Sequence, residues 1–191
     1  MRVVAGTARG RRLITPAGRQ VRPTSERVRE ALFNALGSMG GVDGLTVLDV
    51  FAGSGALGIE ALSRGAASAT FVERDRAALG AVRDNLRTCG FADRATVVAG
   101  DATSHPVVEQ RADLVLCDPP YGFDDWATLL ARLDADLVVV ETDRELDVPE
   151  RFRLLRRKRY GSTVVDVFAV TRGADDEHGP DPAAGRGDGG G

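Results

Sequence analysis

Apolar and polar positions alternate along most of the chain in units that predict strands followed by helices. Short apolar runs are followed by stretches whose apolar residues lie three or four positions apart. The runs predict strands at 46–51, 69–72, 95–99, 113–117 and 136–140, and the stretches predict helices at 56–64, 76–89 and 126–133. Strand–helix units of about 20–25 residues are typical of α/β proteins with a doubly wound parallel sheet and helices on both faces.

The carboxyl-terminal part departs from this alternation. The apolar runs at 153–159 and 163–170 are separated only by Tyr160-Gly161-Ser162, which is too short for a crossover connection. They predict an antiparallel hairpin at the sheet edge. With the five parallel strands, the expected sheet has seven strands and is mostly parallel.

The amino-terminal part predicts a small arm followed by a helix. Val3-Val4 and Leu13-Ile14 bracket a Gly/Arg stretch, as two short strands of a hairpin would. Pro23-Thr24-Ser25 predicts a helix start. The apolar stripe of this helix consists of Val28, Ala31, Leu32, Ala35 and Leu36. Arg27 and Arg29 lie off that stripe.

Charge is segregated along the chain although the net charge is only −3. Residues 1–30 contain eight Arg and two Glu, residues 31–150 contain nine Arg and twenty acids, and residues 151–172 contain seven basic residues and one acid. Basic segments that flank an acidic body suggest a polyanion bound at the edges and a cationic group bound in the middle.

These patterns divide the chain into three parts. Residues 1–37 form a basic arm and helix expected to bind nucleic acid, and residues 45–172 form the α/β domain. Residues 173–191 are rich in Gly and acids with few apolar side chains, so we expect a disordered tail.

Composition excludes several classes of protein. The longest apolar runs fall far short of the roughly 18 residues of a membrane span. Two Cys outside any C-x-x-C spacing and two His are too few for a disulfide framework or a zinc site. We therefore expect a cytoplasmic protein without a metal.

A glycine-rich segment at the first strand-to-helix turn predicts a nucleotide-type ligand. Gly53, Gly55 and Gly58 match G-x-G-x-x-G, a pattern compatible with NAD, FAD or S-adenosylmethionine. No Lys follows the glycines, so a phosphate-binding P-loop is excluded. Phe51 and Ser54 of the same turn are further candidate cofactor-binding residues.

Acidic residues at three successive strand ends favour S-adenosylmethionine. Asp49 would repel a pyrophosphate but attract an ammonium and a sulfonium, unless it only caps the following helix. Glu73, next to Arg74, lies about twenty residues after the first glycine, where an acceptor can hold ribose hydroxyls. Asp101 could accept from an adenine amino group while the Ala102 N–H contacts the ring, unless Asp101 is only a surface charge.

The segment Asp118-Pro119-Pro120-Tyr121 follows the fourth strand and predicts an amine-binding site. Two prolines remove two backbone donors and make the exit from the strand rigid. The Asp118 carboxylate and the Pro119 carbonyl are then acceptors suited to an NH2 group, and Tyr121 could stack on a base. We interpret these four residues as the catalytic segment.

With Asp49-Val50-Phe51-Ala52-Gly53-Ser54-Gly55, this segment resembles amino-methyltransferases of the Rossmann-like, S-adenosylmethionine-dependent class. Residues 1–13 and 22–34 further resemble the RsmD family of 16S ribosomal RNA guanine-N2 methyltransferases, and the similarity extends to about residue 172. It implies methyl transfer to the exocyclic N2 of a guanine in 16S ribosomal RNA. We expect a monomer that acts on this RNA within a small-subunit particle. The expected RNA-binding residues of the arm are Arg9, Arg11, Arg12, Arg22, Thr24 and Arg27.

Two alternatives remain open from the sequence. Asp-Pro-Pro-Tyr binds an NH2 group rather than a particular ring, so the acceptor could be adenine N6 in DNA or, less readily, a protein glutamine. The chain could also be a non-catalytic RNA-binding or assembly protein that retains a nucleotide-binding fold.

Overall fold

The protein is described here by a computed structural model covering residues 1–16, 26–120 and 122–171. Within these residues the α-helices are α1 (Glu26–Gly37), α2 (Ala56–Ser63), α3 (Arg76–Cys89) and α4 (Trp126–Arg132). The strands are β1 (Thr46–Val50), β2 (Ser68–Glu73), β3 (Ala95–Ala99), β4 (Ala112–Cys117), β5 (Ala135–Thr142), β6 (Phe152–Tyr160) and β7 (Thr163–Val170). No helix among them is long and apolar enough to cross a membrane.

The seven strands form one sheet in the order β3-β2-β1-β4-β5-β7-β6. Strands β1 to β5 are parallel, whereas β7 is antiparallel to β5 and β6 is antiparallel to β7. The predicted fold class is therefore confirmed. Strand order reverses between β1 and β4, so the crevice at their carboxyl ends is the place where this architecture binds ligands.

Both faces of the sheet are covered, which explains the near-continuous apolar strands. One face packs against the amino-terminal arm, α1, α2 and α3, and we call it the arm-side face; its strand residues include Leu116, Val139 and Val165. The opposite face packs against α4, and its strand residues include Cys117 and Val140. Adjacent residues of a strand belong to opposite faces.

The arm is a hairpin-like loop held on the body rather than a projecting pair of strands. Its β pairing is a single bridge between Arg2 and Arg12, and Val3 and Leu13 are buried in the arm-side core. The expected two-stranded hairpin is thus reduced to one bridge, because the residues between the apolar positions follow turns at Gly6 and Gly10, both with positive φ. The expected helix start at Pro23–Ser25, the substrate-binding candidates Arg22 and Thr24, and the tail at 173–191 lie outside the described residues.

Arg29 lies off the apolar stripe of α1 but is nevertheless buried. Arg29 is fully buried and its Nε donates to Glu60 Oε2 at 3.4 Å. Glu60 is also fully buried, and it accepts from the backbone N–H of Val4 and Ala5 at 2.8 and 3.0 Å and from Arg64 Nε at 2.8 Å. The arm covers the side of α1 that the apolar stripe leaves open, so Arg29 contacts protein rather than water.

Replacing Arg29 by Ala is expected to destabilise the fold by about 3 kcal/mol. Removing one partner of a buried ion pair leaves an uncompensated charge, and Arg64 keeps the loss near the lower end of the usual range. Urea unfolding at neutral pH measures the difference. The matched control is Arg27→Ala on the exposed side of the same helix, expected within about 0.5 kcal/mol of the parent; equal effects of the two changes would contradict the role of the buried pair.

Candidate active site

A cavity of about 470 Å³ lies at the carboxyl ends of β1, β2, β4 and β5. Its volume is within the usual range for small-molecule sites. Its lining includes Phe51, Gly53, Ser54, Glu73, Arg74, Ala102, Asp118, Pro119, Pro120, Phe123, Trp126, Glu141 and Thr163. The cavity therefore joins the glycine-rich turn to the Asp-Pro-Pro segment, since both loops border the crevice between β1 and β4.

The glycine-rich turn has an irregular backbone. Phe51, Gly53 and Gly55 all have positive φ, and for the non-glycine Phe51 this conformation costs about 1–2 kcal/mol. The Phe51 ring packs edge-on against Phe123 at 5.0 Å, and Phe123 packs against Trp126 at the same distance. The strained turn thus presents Phe51 as part of an aromatic wall of the cavity.

The three glycines of the G-x-G-x-x-G segment have different structural roles. Gly53 lines the cavity, whereas Gly55 does not and instead precedes α2 in a left-handed conformation. A Cβ at Gly58 would lie 2.4 Å from the Phe71 ring. Gly58 therefore permits close packing of α2 on the sheet rather than contact with a ligand.

Glu73 lines the cavity with its carboxylate oriented by three backbone donors. It accepts from the N–H of Gly53 at 2.9 Å, of Arg74 at 2.9 Å and of Asp75 at 2.8 Å, and its side chain is almost completely buried. The carboxylate thereby connects the end of β2 to the glycine-rich turn, a contact that no local sequence pattern showed.

Asp49 does not line the cavity but is buried close enough to Asp118 and Glu73, which do, for their charges to act on it. It is 1 % exposed, and its Oδ2 accepts from the Gly58 N–H at 2.9 Å. Burial raises its pKa well above the ordinary value, and the carboxylates of Asp118 and Glu73 add to that rise. The contact with α2 is the capping alternative considered above, and a role toward a cofactor stays a prediction.

Asp101 is hydrogen-bonded within its own loop and to Arg74. It accepts from the backbone N–H and the hydroxyl of Thr103 at 2.9 and 2.7 Å and from Arg74 Nη1 at 2.8 Å. These hydrogen bonds lower the pKa of Asp101, and those from Thr103 contribute most. Ala102 and Arg74 line the cavity but Asp101 does not, so its contact with adenine also stays a prediction.

Asp118, Pro119 and Pro120 face the glycine-rich turn across the crevice. The pairing of Val50 with Cys117 at the ends of β1 and β4 puts the two segments side by side. Tyr121 lies outside the described residues. Sequence reasoning missed Phe123, Trp126, Glu141 and Thr163; the first two follow Asp-Pro-Pro-Tyr closely, whereas Glu141 and Thr163 are brought in only by strand pairing.

Four of the arm residues expected to bind RNA are described by the structure, and these four lie outside the cavity lining. Arg9, Arg11, Arg12 and Arg27 are exposed, and none of them lines it. Among the described residues of the arm, Met1 is the one that lines the cavity, and its sulfur lies 4.0 Å from the Ser54 hydroxyl. Arm and cavity are thus neighbouring but separate surfaces.

Comparison with known proteins identifies the family. The family model described as "Conserved hypothetical protein 95" matches residues 1–169. Ribosomal RNA small subunit methyltransferase D of Escherichia coli K12 is 37 % identical over 179 residues, covering 88 % of this chain and 89 % of that protein. The chain belongs to the RsmD family. The resemblance found in the sequence is therefore confirmed.

A second relative and two solved structures are similar to this chain over most of its length. The Haemophilus influenzae protein of the same name is 36 % identical over 174 residues, covering 84 % of this chain and 89 % of that protein. The structure of Escherichia coli yhhF matches with a TM-score of 0.78 at 37 % identity, covering 89 % of this chain and 97 % of that chain. A structure from a Thermus species matches with a TM-score of 0.74 at 33 % identity, covering 89 % of this chain and 99 % of that chain.

Asp49→Asn is expected to make the protein more stable than the parent at pH 8, with the difference shrinking toward pH 4. A buried carboxyl whose pKa is raised in the folded state loses stability as pH rises above its unfolded value. The Asn side chain keeps an acceptor for the Gly58 N–H without the charge. Urea unfolding between pH 4 and pH 8 measures this difference.

Asp113→Asn provides the control with the opposite sign. Asp113 accepts from the Thr46 N–H and hydroxyl at 2.7 and 2.8 Å, which lowers its pKa. Its contribution is present above the unfolded pKa and lost on acidification, so this variant should be less stable than the parent at pH 8 and converge with it at low pH. The same pH trend in both variants would contradict the assignment for Asp49.

Proposed function

We propose that this RsmD-family protein transfers a methyl group from S-adenosylmethionine to the exocyclic N2 of a guanine in 16S ribosomal RNA. The observation that carries the proposal is the placement of Asp118 and Pro119 in the same cavity as the glycine-rich turn and Glu73. The relatives named ribosomal RNA small subunit methyltransferase D support the reaction and the class of substrate.

The charge of the site supports a cationic cofactor. Glu73 and Asp118 line the cavity, and the buried carboxyl of Asp49 interacts electrostatically with both. Such a site disfavours the pyrophosphate of a dinucleotide, whereas opposite charges about 4 Å apart attract by about 4 kcal/mol at an effective dielectric near 20. S-adenosylmethionine supplies a methyl group on a sulfonium, together with an ammonium. Asp49 would attract the cationic end, Glu73 would accept from the ribose hydroxyls, and Ala102 would contact the adenine.

The Asp-Pro-Pro segment supports an amine as the acceptor of the methyl group. Because Pro119 and Pro120 have no N–H, this stretch presents acceptors and no competing backbone donors. The Asp118 carboxylate and the Pro119 carbonyl would accept the two amine hydrogens and direct the nitrogen lone pair toward the methyl group. The nitrogen becomes acidic once the new bond forms, so its proton can leave late without a strong base. Alignment would then provide most of the rate.

The distribution of basic residues supports an RNA surface on the arm-side face. Paired residues of adjacent strands point to the same face, and Arg156 and Lys158 of β6 pair with Val167 and Val165 of the arm-side core. Arg156 and Lys158 share their face with the arm, so RNA could contact both segments at once. Arg157 points the other way and is bound to Asp166 and Glu145.

Asp118→Ala is expected to reduce turnover by about 10²–10³-fold while cofactor affinity is largely kept, because the change removes an acceptor that acts on the amine. The assay follows label from S-adenosylmethionine into small ribosomal subunits of a strain lacking this protein, with calorimetry for the cofactor. The control is Asp125→Ala, an exposed carboxylate of the same loop that makes no capping bond to α4. Turnover in Asp118→Ala equal to that of the control would contradict the proposal.

Replacing Arg9, Arg11 and Arg12 together by Ala is expected to flatten the salt dependence of RNA binding by about two units of log–log slope, since each phosphate contact contributes roughly 0.7–0.9. Cofactor affinity should not change, because none of the three lines the cavity. Filter binding to 16S ribosomal RNA across a salt series gives the slope. Arg111→Ala, at the amino end of β4 and paired with Asp134 and Asp136, is the control expected to keep the parental slope. An unchanged slope in the triple variant would contradict RNA binding by the arm and would indicate that the RNA-binding surface lies on β6 instead.

A further inference from the structure

Strand pairing extends the line of polar side chains that begins at Asp118. The register of β4 and β5 ends with Cys117 opposite Val140, so Asp118 and Glu141 come next on the two chains. In the neighbouring pair, Glu141 lies opposite Val165 and Thr142 opposite Val164, so Thr163 lies one step beyond on β7. Asp118, Glu141 and Thr163 thus occupy the cavity end of three adjacent strands.

These three side chains belong to the same face of the sheet. Residues two positions apart in a strand point to the same face. Asp118, Glu141 and Thr163 are each two positions from an apolar residue of the arm-side core, namely Leu116, Val139 and Val165. All three polar residues line the cavity. Their order across the sheet follows the strand order β4-β5-β7. The cavity therefore has a polar edge directed to the face on which the arm lies.

An unsatisfied donor in the cavity indicates that it receives a ligand. Trp126 lines the cavity, and its buried ring Nε1 has no hydrogen-bond partner in the described part of the chain. Buried polar groups are normally hydrogen-bonded, so the partner is expected to come from a bound molecule. Thr163 lines the same cavity and is only 4 % exposed, so it can contact such a molecule.

We propose that Glu141 and Thr163 recognise the base edge of the target guanine next to Asp118. Along this edge guanine presents the N2 amine, the N1–H and the O6 carbonyl, in the sequence donor, donor, acceptor. Asp118 accepts from N2, the Glu141 carboxylate accepts from N1–H, and the Thr163 hydroxyl donates to O6. Adenine presents an unprotonated N1 on this edge, which a carboxylate repels. The inference rests on the proposed guanine-N2 methylation and adds the residues that select the base.

The test compares guanine with 2-aminopurine, which keeps the amine at position 2 but has neither N1–H nor O6. Small-subunit particles are reconstituted with 16S ribosomal RNA carrying either base at the methylated position, which is first mapped with the wild-type enzyme. Wild type should prefer guanine by roughly 10²–10³-fold in kcat/KM, because a site built to bind polar groups discriminates against an analogue that lacks them. Glu141→Gln should lose about 10–100-fold on guanine and almost nothing on 2-aminopurine. Thr163→Val should show the same selective loss, about 10-fold.

Glu145→Gln is the matched control, because Glu145 is exposed and bound to Arg157 away from the cavity. It should keep the wild-type preference, and all variants should keep wild-type affinity for S-adenosylmethionine by calorimetry. Equal losses on both bases in Glu141→Gln and Thr163→Val, or an undiminished preference for guanine, would overturn the assignment. A wild-type enzyme that forms no N2-methylguanosine in the guanine particles would instead overturn the proposed function itself.

Discussion

The reversal of strand order between β1 and β4 is the constraint on which the site depends. Parallel strands bring their carboxyl ends to one edge of the sheet. Because the connections after β1 and β4 run in opposite directions, a crevice opens between the loops that follow these two strands. The glycine-rich turn and the Asp-Pro-Pro segment are the loops that border it. Residues about 65 positions apart in the chain therefore face one another without any direct sequence relation.

The carboxyl-terminal edge of the parallel strands carries several carboxylates, some of which are buried. Burial and the neighbouring carboxylates of Asp118 and Glu73 act together on Asp49 and raise its pKa. The cluster weakens the folded state at neutral pH, and a cationic ligand would relieve the repulsion. Strain at Phe51 and repulsion at Asp49 thus both lie at the edge of the sheet that carries the cavity, and such penalties are commonly found at functional sites.

Glu60 links the basic arm to this edge. Its buried carboxylate is hydrogen-bonded to the backbone of Val4 and Ala5 and to two arginines, which fixes the arm against α2. Asn85 adds a second link, because its amide donates to the carbonyls of both Ile14 and Ser54 at 2.9 and 2.8 Å. The arm is therefore continuous with the glycine-rich turn, and RNA held on the arm-side face would lie beside the opening of the cavity.

Local sequence patterns were sufficient to predict the strand–helix alternation, the carboxyl-terminal hairpin, the glycine-rich turn and the acceptor-rich Asp118-Pro119-Pro120 segment. Each of these depends on local periodicity or on the backbone restrictions of Gly and Pro, which act over a few residues. Tertiary structure alone decided that Arg29 is buried, that the Glu73 carboxylate binds the Gly53 N–H, and that Glu141 and Thr163 join Asp118. Those outcomes depend on strand register and on which surfaces cover each other. Both are set by contacts between segments distant in the chain, and local sequence patterns do not encode such contacts.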